Sequence, residues 1–212
     1  CDLDAATGVA RLRYAFDDGP ELIETVTLPG APFVLDAARA QAATQALRLL
    51  HLIAGVSYYK AAVPTDIRIE GYAIDAQTAA LLEDVYVHGL GEFAYRNGLD
   101  LHGKIRFPQD AVATADAAVL GLRTHALVAI GGGKDSLVSI EALRALGIEQ
   151  TVSWIGGSQL IRVCAERTGL PTLNIGRQIA PELFEYNRQG AWNGHIPVTA
   201  INSAILVLAA VL

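Results

Sequence analysis

The sequence contains no methionine, only two cysteines, and aromatic residues at just 7% of its 212 positions. Without a Met, Cys1 does not read as a natural start, and the chain is expected to be a fragment of a longer protein. Cys1 and Cys164 cannot build a disulfide framework and lack metal-ligand spacing, which predicts a reducing, cytoplasmic compartment. Cys1–Ala10 has neither a basic n-region nor an apolar h-region, so it does not read as a secretory signal. Charge is also sparse, at 18% against 52% hydrophobic residues, which excludes a disordered chain. Sixteen Lys and Arg against 22 Asp and Glu give a net charge of −6, which argues against a nucleic-acid partner. The segment Gln189–Leu212 has no Asp, Glu, Lys or Arg at all. Its apolar part, Ile196–Leu212, falls short of the ~20 residues that cross a bilayer and contains Pro197, Asn202 and Ser203. It is expected to be a buried helix rather than a membrane insertion. Because the chain stops inside it, further strands are expected beyond Leu212.

On a prior of ~150 residues per domain, the length suits one full domain or two small ones. Charge and pattern favour two parts. Residues 1–130 hold 10 basic and 16 acidic side chains, and residues 131–212 hold six of each. A boundary is expected near 110–123, giving an N-terminal α+β domain over 1–122 and a second domain over 123–212. In the first, Val9–Phe16 and Leu22–Leu28 alternate about the turn signal Asp17-Asp18-Gly19-Pro20 and predict a β-hairpin. A helix is expected over roughly 35–54, ended by Gly55, and a strand over Ile67–Tyr72. A second helix is expected from an Asp75 cap to about His88, broken by Gly89 and Gly91. In the second part, Ala126–Ile130, Thr151–Ile155 and Pro171–Ile175 read as short buried strands. Helices over about 135–146 and Gly157–Thr168 separate them. This alternation predicts an α/β fold with a doubly wound parallel sheet, thin and with an unfinished edge.

The first of these strands runs into Gly131-Gly132-Gly133-Lys134-Asp135-Ser136 and then a helix. Consecutive glycines let amide N–H groups converge on an anion, and the helix N-terminus adds partial positive charge. Lys134 supplies a full charge, the Ser136 hydroxyl a donor, and Asp135 either a helix cap or a ligand for Mg2+. The segment is not Walker A, because Lys134 precedes Asp135 and Val128 stands where the earlier Gly belongs. Nor is it G-x-G-x-x-G, since Ser136 occupies the third glycine position. It resembles the pyrophosphate loop of the N-type ATP pyrophosphatases, S-G-G-x-D-S, at Gly132, Gly133, Asp135 and Ser136, with Gly131 replacing the leading Ser. That resemblance implies a sheet of ATP pyrophosphatase (adenine nucleotide alpha hydrolase-like) type. It also implies cleavage of ATP between the α- and β-phosphates with transfer of AMP. The competing reading is a plain glycine-rich turn capped by Asp135.

Three further segments accompany this loop in order: Gly55–Ala61 before it, then Gly89–Tyr95, and Asn193–Ile201 after it. Together the four are similar to the ATP-dependent UDP-N-acetylmuramoyl-L-alanyl-L-glutamate epimerases of some bacteria. The resemblance implies ATP- and Mg2+-dependent inversion of the terminal L-glutamate of a UDP-N-acetylmuramoyl dipeptide, in peptidoglycan synthesis. Outside the loop, His195 is a candidate acid/base or phosphate ligand, with a capping or structural role as its alternative. Tyr58, Tyr59 and Lys60 are candidates for facing the substrate, against aromatic core packing with a solvated Lys. Arg177 and Arg188 are candidates for clamping its anionic groups, against surface pairs with Glu182 or Glu185, and Asn193 is counted with the substrate-binding set. Gly156 and Gly157 follow the second strand, where parallel sheets bind ligands, and are candidates for the adenosine; otherwise they start a helix. Cys164 is expected to be buried and inert. Two other functions stay open: another AMP-forming ligase or RNA-modifying enzyme on the same loop, and a non-catalytic ATP-binding module.

Overall fold

The computed structural model describes residues 1–17, 19–110 and 119–212. Asp18 of the expected turn and most of the expected boundary region lie outside the described residues. The chain opens with three antiparallel strands, β1 (Asp2–Asp4), β2 (Val9–Tyr14) and β3 (Leu22–Thr27), registered Val9↔Thr27 to Tyr14↔Leu22. Ala10, Leu12, Leu22, Glu24 and Val26 alternate inward and are fully buried, as a period of two dictates. Gly8 turns the chain into β2 at φ +73, where a Cβ would lie 2.3 Å from the Leu28 carbonyl oxygen, so only glycine fits.

Helix α1 (Ala37–Ala54) starts where Asp36 accepts a hydrogen bond from Arg39 N–H at 2.8 Å. Gly55 interrupts it, and α2 (Val56–Ala62) follows at once. A Cβ on Gly55 would meet the Tyr86 hydroxyl at 2.8 Å, so the kink brings two helices into close contact. Asp75 caps α3 (Ala76–Gly89), accepting from Thr78 N–H at 2.7 Å, and α4 (Gly91–Asn97) follows. Ile67–Tyr72 is not a strand. The alternation predicts one, but the segment pairs with no strand among the described residues; Ile67, Ile69 and Tyr72 instead pack singly on the core from a loop.

The second half alternates as expected: β4 (Ala126–Ala129), α5 (Lys134–Ala145), β5 (Gln150–Ile155), α6 (Gln159–Arg167), β6 (Thr172–Gln178), α7 (Pro181–Arg188) and α8 (Val198–Val211). Strands β4, β5 and β6 pair in parallel, Val128 with Val152 and Val152 with Thr172. The free side of β6 is not an unfinished edge, because β3 pairs antiparallel to it, Thr25 with Gln178 and Thr27 with Gly176. One mixed six-stranded sheet results, in the order β1-β2-β3-β6-β5-β4, with contributions from both sides of residue 122. Val128, Val152 and Trp154 face α5 and α6, as two right-handed crossovers between sequential strands require. Ile155, Leu173 and Ile175 face α1 and α8 across the opposite layer. In α8, Ile201, Ala204, Ile205 and Leu208 form the buried stripe against α1, which makes the uncharged tail a core helix. Among the described residues no helix is long and apolar enough to cross a membrane.

The seam between β3 and β6 carries the one buried ion pair among the described residues. Glu24 is fully buried, and its Oε1 accepts from Arg177 Nε at 2.7 Å. Tyr58 donates its hydroxyl to Glu24 Oε2 at 3.2 Å and accepts from Ala180 N–H at 3.1 Å, while Arg177 Nη2 reaches Ser57 Oγ at 3.4 Å. Strands β3 and β6 are thereby tied to α2 and to the start of α7. Glu24→Ala strands the guanidinium in a desolvated site and is expected to cost about 3–5 kcal/mol in urea unfolding. Arg188→Ala, which removes a surface pair with Glu185, should cost under about 0.5 kcal/mol. Equal effects of the two would refute this account of the seam.

Candidate functional site

Strand β4 ends in Gly131–Gly133, and α5 begins at Lys134. Gly132 sits at φ +80, a left-handed conformation that turns the chain from strand to helix. Gly133, not Asp135, is the N-cap residue, and no side chain caps the helix. Of the two roles open to Asp135, the helix cap therefore falls away. Asp135 lies in the first turn, where a carboxylate is favoured by the helix dipole, and it and Lys134 have no side-chain partner among the described residues. The first-turn N–H groups are left without a side-chain acceptor. Ser136 donates its hydroxyl to the Gly133 carbonyl at 2.9 Å and closes the turn. A Cβ on Gly131 or Gly133 would touch nothing within 4 Å, so the cradle is open to an incoming ligand.

The turn after β5 lies beside this one, because Ala129 pairs with Ser153. Gly156 adopts φ +91, and Asn174 on β6 donates Nδ2 to its carbonyl at 2.9 Å. Gly156 and Gly157 do not start a helix; Ser158 caps α6 by accepting from Ile161 N–H at 3.4 Å. A Cβ on Gly132 would lie 3.7 Å from Cys164 Sγ, so α6 packs against the loop, with Cys164 half-buried and unbonded. Two strand-to-helix turns thus converge at the C-terminal end of the parallel strands, an arrangement suited to a polyphosphate. The residues fit ATP through loop amides, Lys134 and Ser136. No cluster of three metal-ligating side chains occurs among the described residues, so Mg2+ would rest on Asp135, phosphate oxygens and water.

The other candidates separate into groups. Lys60 is not solvated. It is 5% exposed, and its Nζ donates to Asn193 Oδ1 at 2.7 Å, so two residues 133 positions apart meet. No carboxylate pairs with it among the described residues, and burial lowers its amine below the ordinary lysine value. Tyr58 is buried, stacks on Tyr14 at 4.1 Å and spends its hydroxyl on the Glu24 seam; burial and then Glu24 push that hydroxyl's pKa upward. Tyr59 packs edge-on against Tyr86 at 5.4 Å. Arg177 pairs with Glu24 and not with Glu182 or Glu185, since β6 carries it inward. Arg188 does pair with Glu185 on the surface. His195 is exposed in the loop before α8, where Pro197 holds the cap position, so the capping role falls away.

Sequence reasoning missed Glu24 and Asn174. Glu24 was detectable from its inward position between Leu22 and Val26, where a carboxylate needs a buried partner. Asn174 carried no signal, because its partner carbonyls belong to another strand.

Among known proteins, the family described as MurL N-terminal domain matches residues 1–212. A curated protein of Xanthomonas oryzae pv. oryzae, named UDP-N-acetyl-alpha-D-muramoyl-L-alanyl-L-glutamate epimerase, is 77% identical over 212 residues, covering 100% of this chain and 47% of its own. Proteins of the same name from a Micromonospora species and from Salinispora tropica are 42% and 39% identical. Each alignment covers 99% of this chain, and 48% and 46% of the respective relative. The chain spans about half the length of these relatives. No solved structure matches it.

Lys60 generates a test of pH dependence. Its amine is lowered in the folded state, so above that lowered value the unfolded chain binds more protons and stability rises with pH toward 10.5. Lys60→Met is expected to be at least as stable as the parent at pH 7, with the difference narrowing in alkaline solution. If the parent proves more stable by over about 1 kcal/mol at pH 7, the amine is a net stabilising donor and the reading fails.

Proposed function

The chain belongs to the MurL N-terminal domain family, and on that premise we propose that it supplies the nucleotide-binding part of an epimerase. The proposed reaction is ATP- and Mg2+-dependent inversion of the terminal L-glutamate of UDP-N-acetylmuramoyl-L-alanyl-L-glutamate, releasing AMP and pyrophosphate, in peptidoglycan synthesis. The observation that carries it is the open Gly131–Ser136 cradle in a chain so similar to proteins named for that epimerisation. The parallel β4–β5–β6 unit with this loop supports an ATP pyrophosphatase type of sheet. The two free cysteines suit a reducing cytoplasm, and the net charge of −6 suits a small-molecule rather than a nucleic-acid partner.

The chemistry that ATP supplies is adenylation of a glutamate carboxylate, which removes the negative charge that otherwise opposes loss of the neighbouring Cα proton. The chain's own residues then have distinct tasks. The amides of Gly132, Gly133 and the first turn of α5 hold phosphate oxygens, with Lys134 neutralising their charge. Asp135 would be the side chain that holds Mg2+, which when bound would offset phosphate charge. Ser136 transfers its hydroxyl from the Gly133 carbonyl to a phosphate oxygen. Gly156 and Gly157 let the nucleoside lie across β5. His195, exposed and unpaired among the described residues, is free to move a proton, and the buried Lys60–Asn193 pair positions the loop that carries it.

In the full-length protein with the dipeptide substrate, Asp135→Ala and Ser136→Ala are each expected to lower pyrophosphate release about 10²–10³-fold with an unchanged circular dichroism spectrum. Retained activity would reduce the loop to a turn, and no release by the parent protein would sink the epimerase reading. Solvent deuterium should enter the glutamate α-position during turnover; a product free of deuterium excludes proton abstraction. His195→Ala should slow deuterium incorporation, and an unchanged rate removes His195 from the reaction.

A further inference from the structure

A second concavity lies at the same end of the sheet as the phosphate loop. Strand β3 runs antiparallel to β6 with Thr25 opposite Gln178, so the Tyr14–Leu22 end of the hairpin projects past the C-terminal ends of the parallel strands. There a cleft of about 770 Å³ opens between the hairpin, the end of α1, α2 and the 64–70 loop. It is of a size that holds a nucleotide-sized ligand. Strand β2 is four strand spacings from β4, or about 19 Å at ~4.8 Å per spacing, so the cleft and the loop are well separated along one edge.

Three features of the lining point to one ligand chemistry. Its wall is aromatic: Tyr59 meets Tyr86 edge-on at 5.4 Å, and Tyr86 meets Phe107 edge-on at 5.0 Å. Its tyrosine hydroxyls are spent except one. Tyr14 donates to the His51 carbonyl and Tyr86 to the Leu52 carbonyl, whereas Tyr59, only 6% exposed, has no hydroxyl partner among the described residues. Its charges are mixed. Arg13 is engaged by Asp2 and Glu21, but Arg68 is exposed with no acidic partner among the described residues, and Asp66 and Glu70 stand beside it. The loop bearing these groups is held by Val63 at φ 48, a left-handed conformation costly for a β-branched residue and placed directly before Pro64.

The polar edge of a nucleobase suits the Tyr59 hydroxyl, a ribose diol suits a carboxylate, and a diphosphate suits one unpaired guanidinium. We propose that this cleft binds the nucleoside diphosphate end of the substrate, while the amino-acid end reaches the phosphate loop. The proposal rests on the epimerase reading for the identity of that ligand. A nucleotide-linked sugar bearing a dipeptide is an elongated molecule, and the two sites lie along one edge of the sheet to receive its two ends.

The test is titration of the full-length protein with UDP alone and with ATP alone, by calorimetry. Arg68→Ala should weaken UDP binding at least tenfold and Tyr59→Phe several-fold, with ATP affinity unchanged within twofold. Lys134→Ala should do the reverse. Competitive displacement of UDP by ATP, an unchanged UDP affinity in Arg68→Ala, or no UDP binding by a protein that releases pyrophosphate with the dipeptide substrate would each overturn the proposal. Absence of that release, with UDP still bound at Arg68, would instead defeat the epimerase reading and leave the cleft standing.

Discussion

A carboxylate sealed from water holds the two halves of this sheet in register. Glu24 is fully buried, and an isolated charge there would cost several kcal/mol, so β3 can lie against β6 only where Arg177 meets it. A slip of one residue would turn Glu24 toward the other face and strand both charges. Tyr58 and Ser57 complete the set from α2, and the Ala180 amide completes it from the start of α7. The hairpin therefore extends the parallel strands at one fixed offset. That offset is what brings the hairpin cleft and the Gly131–Ser136 loop to the same end of the molecule. Energetically the pair is less a gain than a penalty for every other alignment.

The sequence displayed local order well and long-range order poorly, for identifiable reasons. Helix α1 announced itself through Ala43, Ala46, Leu47, Leu50 and Ile53, and the Asp75 cap of α3 stands where a short polar side chain precedes apolar periodicity. The Gly131–Ser136 turn between β4 and α5 was legible because its glycines are contiguous between an apolar strand and a helical repeat. The β3–β6 pairing was not, since nothing local to either strand specifies a partner some 150 residues away. The same blindness made Arg177 look like a surface residue and Lys60 like a solvated one: their environments are built by elements remote in sequence. Ile67–Tyr72 shows the converse error. Alternation reports which side chains are covered, and a loop laid over a core can be covered alternately without a ladder.

Function and fold draw on different parts of this balance. The core is closed by apolar side chains of α1, α8 and the sheet, whereas the exposed end is rich in backbone groups and charges not spent within the described residues. At α5 the absence of a capping side chain leaves first-turn amides available. A Ser or Asp at position 133 would satisfy one of them and stabilise the helix by roughly a few tenths of a kcal/mol relative to glycine, while taking a donor that the proposed anion site would use. Glycine there keeps the donors for a ligand.

Ser136 shows how such a loop can be formed before its ligand arrives. Its hydroxyl donates to the Gly133 carbonyl and holds the turn closed. Were a phosphate oxygen to replace that acceptor, as the proposed function requires, the Gly133 carbonyl would be left facing solvent, because the loop is exposed and can be hydrated at once. The exchange trades a neutral hydrogen bond of about 1 kcal/mol for a charge-assisted one roughly twice as strong, with no buried group abandoned. Reorganisation is confined to one rotatable hydroxyl. The backbone, fixed by the left-handed Gly132 and by α6 packed behind it, need not move, so little of the ligand's binding energy is consumed in ordering the site.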